Sequence, residues 1–170
     1  LTNGQALALT PRFSPDYKSI VYVSYIERRA RVYVYDIASG RQRLVTESPN
    51  QTFSPRWSPD GKSILYSMSV GGNTDLYRVS AAGGGTPVRL TNTPAIETGG
   101  SYSPDGSKIV FESDRSGSQQ IYVMNADGSG QQRISFGGGN YATPEWSPRG
   151  NLIAFTRVGG GAFRVGVMSP

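Results

Sequence analysis

The chain lacks two residue types on which most catalytic and metal centres depend. It contains no cysteine and no histidine in 170 residues. Without cysteine, disulfides and thiolate metal sites are excluded. Without histidine, Ser-His-Asp and Cys-His centres and the usual zinc sites are excluded as well. No apolar run approaches the roughly 18 residues of a membrane-spanning helix. These absences exclude those particular centres, and we expect that the chain is not an enzyme and uses no cofactor or metal.

Charge is also sparse, at 17% of residues, with a formal net charge of +5. The 22 glycines and 11 prolines indicate a turn-rich chain. A basic cluster could form a phosphate-binding footprint. It spans a predicted strand and its two turns, and its aromatic residues alternate as in a strand, so we expect a solvated hairpin and no nucleic-acid partner. The cluster consists of Arg28, Arg29, Arg31, Arg41 and Arg43.

One short pattern recurs along the whole sequence, an aromatic residue followed by Ser-Pro. Its serines are at positions 14, 58, 103 and 147, in steps of 44, 45 and 44 residues. A period in this range indicates a repeat protein, most commonly with four β-strands per repeat. The copies are Arg12-Phe13-Ser14-Pro15-Asp16, Arg56-Trp57-Ser58-Pro59-Asp60-Gly61, Ser101-Tyr102-Ser103-Pro104-Asp105-Gly106 and Glu145-Trp146-Ser147-Pro148-Arg149-Gly150.

The second repeat shows the strand pattern most clearly. Thr52 to Trp57 is predicted as a strand, and Ser58-Pro59-Asp60-Gly61 as a turn, because proline fixes φ and glycine allows a positive φ. Lys62 to Met68 and Asp75 to Val79 follow as strands rich in β-branched and aromatic residues. Pro87 to Thr91 is predicted as an outer strand, where proline is tolerated.

Units of this size and content are the blades of a β-propeller, in which neighbouring blades cover each other's faces. The sequence therefore predicts an all-β propeller forming one region over residues 1–170. Its four four-stranded blades cover approximately 7–46, 51–91, 96–135 and 140–170, the last blade incomplete, and residues 1–3 resemble the tail of a preceding blade. Four aromatic residues at equivalent positions are expected in the cores between blades: Phe13, Trp57, Tyr102 and Trp146.

The stretch from Tyr102 to Ser135 resembles the PD40 repeat of the TolB β-propeller family. All four units carry the pattern, with Gly lost after Asp16 and Asp replaced by Arg149. The resemblance implies a four-repeat fragment of a six-bladed propeller. It also implies a periplasmic scaffold of the Tol-Pal envelope system that binds the lipoprotein Pal at one end of its channel. Other Tol proteins are implied partners, and the membrane is reached only through partners.

In that family, partner contacts come from the segments leading into the first strands of the blades. The equivalent segments here are residues 7–10, 51–54, 97–99 and 140–143, which we call the mouth segments. Glu97 is the foremost candidate, because we expect its carboxylate to be unpaired there. The candidate contact residues are Gln51, Thr52, Ser54, Glu97, Thr98, Asn140, Tyr141 and Thr143.

Two other functions stay open at this point. Dipeptidyl-peptidases and tricorn-like serine peptidases use similar propellers to gate a separate hydrolase domain, although the chain has no Gly-x-Ser-x-Gly motif of its own. A glycan-binding channel is the second alternative, with sugar stacking on Tyr17, Tyr25 and Tyr141.

Two further expectations concern a polar hairpin and the exposed edges. Glu112, Asp114 and Arg115 are predicted to serve hairpin geometry, with Asp114 bonding its own backbone. Self-association through exposed blade edges is a further hypothesis. It is checked by light scattering at high concentration, and a monodisperse monomer would count against it.

Overall fold

The computed structural model describes residues 6–26 and 28–170, and within these ranges it contains fifteen strands and no helix. The described residues accordingly include no helix able to cross a membrane. The tail predicted at residues 1–3 lies outside the described residues. The first two sheets contain β1 Ala8–Phe13, β2 Ser19–Ser24, β3 Arg31–Asp36 and β4 Gln42–Leu44, then β5 Thr52–Trp57, β6 Ser63–Val70, β7 Asn73–Ser80 and β8 Val88–Arg89. The last two contain β9 Glu97–Tyr102, β10 Lys108–Ser113, β11 Gln120–Asn125 and β12 Gln132–Arg133, then β13 Asn140–Trp146, β14 Ile153–Gly159 and β15 Ala162–Met168.

Each sheet is an antiparallel meander in which strands adjacent in sequence are paired. Three sheets have four strands, and the fourth, β13-β14-β15, has three. Successive sheets pack face to face, so each sheet is one blade. The prediction of an all-β propeller with an incomplete last blade is confirmed.

In the second blade, the inner strands follow the prediction and the outer strand is shorter. Strand β5 has the predicted bounds, and β6 and β7 are joined at Gly71 and Gly72, with φ angles of 60° and 92°. The outer strand is limited to Val88–Arg89. Just beyond it, the Leu90 amide still donates to the Leu76 carbonyl, whereas the Leu76 amide donates to the side-chain oxygen of Thr91 at 2.9 Å.

The Ser-Pro-Asp turns close the first hairpins of the first three blades with the same side-chain hydrogen bonds. In the third blade, the Ser103 hydroxyl donates to Asp105 at 2.6 Å, and the amides of Ser107 and Lys108 donate to the Asp105 and Ser103 side chains. In the first blade, Tyr17 holds the position of the missing glycine with φ of 59°. In the fourth, the Ser147 hydroxyl donates to Asn151 instead, at 3.1 Å. The two irregular turns therefore keep the fold of the others.

We expect the stability contributed by the Asp105 turn to depend on pH. Hydrogen bonds from the Ser103 hydroxyl, and next from the Ser107 amide, lower the pKa of Asp105 from its ordinary value of 3.8 to about 2. A lowered carboxyl pKa stabilises the folded state above the unfolded pKa, and the gain is lost as pH falls through the folded pKa. Asp105→Ala should therefore lower the melting temperature at pH 7, and the deficit should shrink between pH 4 and 2.

Thermal melts by circular dichroism at pH 7, 4 and 2 measure this effect. Arg149→Ala is the matched control, because Arg149 has the equivalent position in the fourth turn and makes no such bonds among the described residues. A deficit for Asp105→Ala that is as large at pH 2 as at pH 7 would contradict the expectation.

The hydrophobic core lies between blades, in three clusters that each join one sheet to the next. Tyr102 and Trp146 are buried in the second and third clusters, and Trp57 packs against the first. The prediction for Phe13 is wrong, since 59% of it is exposed. Among the described residues, no sheet lies against β1 on the side that Phe13 faces. The aromatic residue before the motif serine is therefore part of a hydrophobic core only where a preceding blade covers it.

The outer face of the fourth blade is exposed in the same way. Val165 is 84% exposed, whereas Ile121, its equivalent in the third blade, is fully buried against the fourth. Phe163 and Val167 on the same strand are also exposed. This face has the apolar character of the buried faces and no covering sheet among the described residues. Self-association through it stays a prediction.

Candidate functional site

The first strands of the four blades converge, and their side chains meet there. Strands β1, β5, β9 and β13 pack in succession. Arg56 on β5 and Glu145 on β13 pair across the gap, with Nη2 and Oε2 3.3 Å apart. The Ser101 hydroxyl on β9 donates to the other Glu145 oxygen at 3.3 Å. The first strands therefore lie side by side along a common axis, as the first strands of a propeller do.

Each first strand carries a β-bulge in its middle, which the sequence analysis did not anticipate. The pairing to the second strand shifts in all four blades. Thr10, Ser54 and Thr143 each have φ of 51° there, and Gly99 has φ of 66°. A non-glycine residue at positive φ costs of the order of 1 kcal/mol and persists only where the surrounding structure enforces it. The signal available in the sequence was Thr or Ser before proline at the same point of three repeats.

The mouth segments lie at the ends of the first strands where the chain enters each blade. Gln51, Asn140 and Thr143 are exposed, and Ser54 and Thr98 are half-buried. The Thr98 hydroxyl accepts a hydrogen bond from Ser67 at 3.2 Å. These five predicted contact residues therefore retain surface at the mouth.

Two other predicted contact residues are buried, and each has a structural role. The Thr52 side-chain oxygen accepts a hydrogen bond from the Val32 amide of the preceding blade at 2.9 Å. Tyr141 belongs to the third core cluster, and its ring packs against Phe155 with centroids 5.3 Å apart. Neither side chain presents a surface that a partner could contact.

The expectation that Glu97 is unpaired is wrong. Its side chain is fully buried and pairs with Arg115, with Oε1 and Nη2 2.5 Å apart. The hydroxyls of Thr93 and Ser113 donate to the same carboxylate. Arg115 stacks over Tyr122 at 4.7 Å. The sequence could not show this pair, because the two residues come together only when the hairpin of the third blade forms.

The polar hairpin of Glu112, Asp114 and Arg115 has structural roles that differ from the predicted one. Asp114 accepts a hydrogen bond from the Ile96 amide at 2.8 Å rather than from its own turn. Glu112 accepts one from the Thr143 amide of the next blade at 3.0 Å. Burial raises the pKa of the Glu112 carboxyl, and the Thr143 hydrogen bond partly opposes this. The hairpin thus fastens β10 to the neighbouring mouth segments.

The basic cluster is only partly a solvated hairpin. Arg31 is buried, and half-buried Arg43 donates to the Ala81 carbonyl of the second blade. Arg78 donates to the Ala126 carbonyl of the third blade in the same manner, at 3.2 Å. Arginines thus hold neighbouring blades together at the end of the propeller opposite the mouth.

The tyrosines proposed for sugar stacking do not form a platform. Tyr17 lies in the turn between β1 and β2, at the end opposite the mouth, and Tyr25 lies at the mouth end beyond β2. Tyr141 is buried. This geometry removes the support for a glycan-binding channel.

Four side chains at equivalent positions line the axis below the bulges, and we call them the channel ring. They share the position two residues before the motif serine, so the repeat alignment could have found them. The channel ring consists of Arg12, Arg56, Ser101 and Glu145.

No group of His, Cys, Asp or Glu suited to a metal ion occurs among the described residues.

The successive antiparallel sheets and the common axis of their first strands define a β-propeller. Its first strands present polar and charged groups to a central channel. Among propellers, the family profile described as the TolB beta propeller domain, PD40, matches residues 1–170. The chain belongs to that family.

Several similar proteins carry the name TolB, and two of them show the extent of the likeness. The Tol-Pal system protein TolB of Gluconobacter oxydans (strain 621H) is 49% identical over 170 residues, which is all of this chain and 38% of the relative. The crystal structure of TolB from Acinetobacter baumannii superposes with a TM-score of 0.86 at 32% identity, covering 96% of this chain and 41% of that one. The chain therefore spans about two fifths of the length of these relatives.

A peptidase propeller shares the fold. The puromycin-hydrolyzing peptidase of Mycobacterium tuberculosis superposes with a TM-score of 0.72 at 16% identity, covering 94% of this chain and 28% of that one. At this identity the likeness is one of fold alone and does not extend to hydrolysis.

Proposed function

We propose that this chain is a non-enzymatic protein-binding part of a Tol-Pal envelope system, periplasmic in location, that binds a Pal-type lipoprotein at the mouth segments. Its membership of the TolB propeller family and its likeness to Tol-Pal proteins named TolB support this assignment. Its lack of histidine and cysteine supports a non-enzymatic role.

The observation that carries the proposal is the absence of free charge on the mouth segments. Glu97 is the only charged residue in them, and it is buried and neutralised by Arg115. The exposed surface consists of uncharged polar groups such as Gln51 and Asn140 beside apolar side chains such as Leu9. Depletion of charge at the centre of a patch is typical of protein interfaces.

The structure also changes which residues are proposed to contact the partner. The proposed contacts are those with accessible side chains, with Leu7 and Leu9 added as exposed apolar neighbours. Thr52, Glu97 and Tyr141 are removed because they are buried. The revised set is Leu7, Leu9, Gln51, Ser54, Thr98, Asn140 and Thr143.

Calorimetric titration with a purified soluble Pal domain tests the proposal. We expect binding by the chain and a loss of about tenfold or more for Asn140→Lys, because a charge placed in an uncharged interface must be desolvated without a partner. Ala38→Lys is the matched control, since it adds the same charge to an exposed turn at the opposite end. No heat from the folded chain at saturating Pal domain, or equal weakening by both variants, would refute the proposal.

A further inference from the structure

The channel ring is electrostatically unbalanced. It holds two cations, Arg12 and Arg56, against one anion, Glu145. The two arginines have equivalent positions on adjacent first strands and the same local geometry. Each donates from Nη1 to the preceding proline carbonyl, Arg12 at 3.2 Å and Arg56 at 3.1 Å. The repeat therefore places two guanidinium groups side by side on the channel wall.

The Arg56 guanidinium has bonding capacity left over. Its Nε is buried and has no hydrogen-bond acceptor among the described residues. Burial lowers its pKa, the Glu145 charge opposes that shift, and the neighbouring Arg12 charge adds to it. A guanidinium presents donors in a planar fork that matches a carboxylate or another oxyanion.

Glu145 forms a weak ion pair with the Arg56 guanidinium from the opposite side of the channel. The pair joins the second and fourth blades at 3.3 Å, longer than the 2.7–2.9 Å typical of a charge-assisted hydrogen bond. The Glu145 side chain is 54% exposed, so it can leave at little cost. Ser101 donates to its second oxygen. A carboxylate is thus already bound here by a cation and a hydroxyl, in a form that an incoming carboxylate could replace.

From this arrangement we propose that Arg12, Arg56 and Ser101 form a binding site for a carboxylate ligand inside the channel, and that Glu145 is its internal competitor. The ligand carboxylate takes the place of Glu145 at Arg56 and Ser101. Arg12 provides the second positive charge of the ring, which the single negative charge of Glu145 does not balance. The ligand is either a small free acid or an acidic side chain of a peptide that enters the channel. The site goes beyond the proposed mouth interface, because it involves none of the mouth residues.

The test follows the arginine Nε–Hε signals of the ¹⁵N-labelled chain by NMR at low ionic strength. The probes are succinate, the capped peptide Ac-Gly-Glu-Gly-NH2 and its neutral counterpart Ac-Gly-Gln-Gly-NH2. We expect a saturable shift of the Arg56 signal with at least one carboxylate probe and none with the neutral peptide. Saturation by succinate alone identifies a small acid as the ligand class, and saturation by the acidic peptide identifies a side chain.

Variants separate this site from general electrostatic attraction. Arg56→Gln and Arg12→Gln should each weaken binding about tenfold, and exposed Arg12 can be changed without disturbing the core. Glu145→Gln should tighten binding at least about threefold, because it removes the competitor. Arg41→Gln, the same charge change at an exposed position of a turn outside the channel, should have no effect. The proposal would be overturned if Glu145→Gln left binding unchanged or weakened it, or if Arg41→Gln weakened binding as much as Arg56→Gln does. Binding of sulfate as strong as that of the carboxylate probe would also overturn it.

Discussion

Arg115→Ala is expected to lower the free energy of unfolding by about 3 kcal/mol, because it leaves the fully buried Glu97 carboxylate without its cation. The estimate is at the low end for a broken buried pair, since the Arg115 side chain is 20% exposed and water can partly replace it. The variant also loses the stacking of the guanidinium over Tyr122 and Phe111. Urea unfolding followed by circular dichroism measures the change.

A double-mutant cycle identifies the cause of that loss. In a Glu97→Gln background the buried charge is gone, so Arg115→Ala should cost at least about 1 kcal/mol less than in the unmodified chain. Arg149→Ala, an exposed arginine in a turn, serves as the control and should change stability by less than about 0.5 kcal/mol. Purely additive effects of the two substitutions would show that the ion pair does not stabilise the third blade.

Trp146→Ala and Phe13→Ala should differ strongly although they change equivalent positions of the repeat. Trp146 is 8% exposed and packs in the third core cluster, so its removal should cost about 3 kcal/mol or more. Phe13 is 59% exposed, so its removal should change stability by less than about 0.5 kcal/mol. The same urea titrations measure both values.

This pair of variants provides its own control, because both truncate an aromatic side chain to the same residue at the end of a first strand. A large loss for Phe13→Ala would show that its face is covered in solution. A small loss for Trp146→Ala would contradict the assignment of the third cluster as a core between blades.

The buried pair, the channel ring and the mouth segments show how a repeat acquires distinct sites. Every blade provides the same backbone positions, and the side chain at each position differs from blade to blade. At the channel ring, the four positions hold two arginines, a serine and a glutamate. In a propeller of this kind, the side chains at a few equivalent positions therefore set the chemistry of the axis.

Much of the fold could be predicted because it depends on local signals that occur four times. The Ser-Pro-Asp turns fix φ and supply side-chain hydrogen bonds within six residues, and apolar strands flank them. Even the two irregular turns keep their geometry, with Tyr17 at positive φ and Asn151 accepting the serine hydroxyl. The outer strands were less predictable, because near their ends side chains such as that of Thr91 accept hydrogen bonds from the neighbouring strand.

The sequence alone determined the repeat and the all-β class, since both follow from spacing and local turn chemistry, and its resemblance to a known repeat indicated the family. Only the tertiary structure decided the roles of individual side chains. Glu97 was predicted to be an unpaired carboxylate at the mouth, and in the structure it is one member of a buried ion pair. Phe13 was predicted to lie in a core, and in the structure it lies at the surface. The physical reason is that the burial of Phe13 depends on whether another blade lies alongside, whereas charge pairing depends on contacts between strands that are separated in sequence. Such contacts occur within the third blade for Glu97 and across the channel for Arg56 and Glu145.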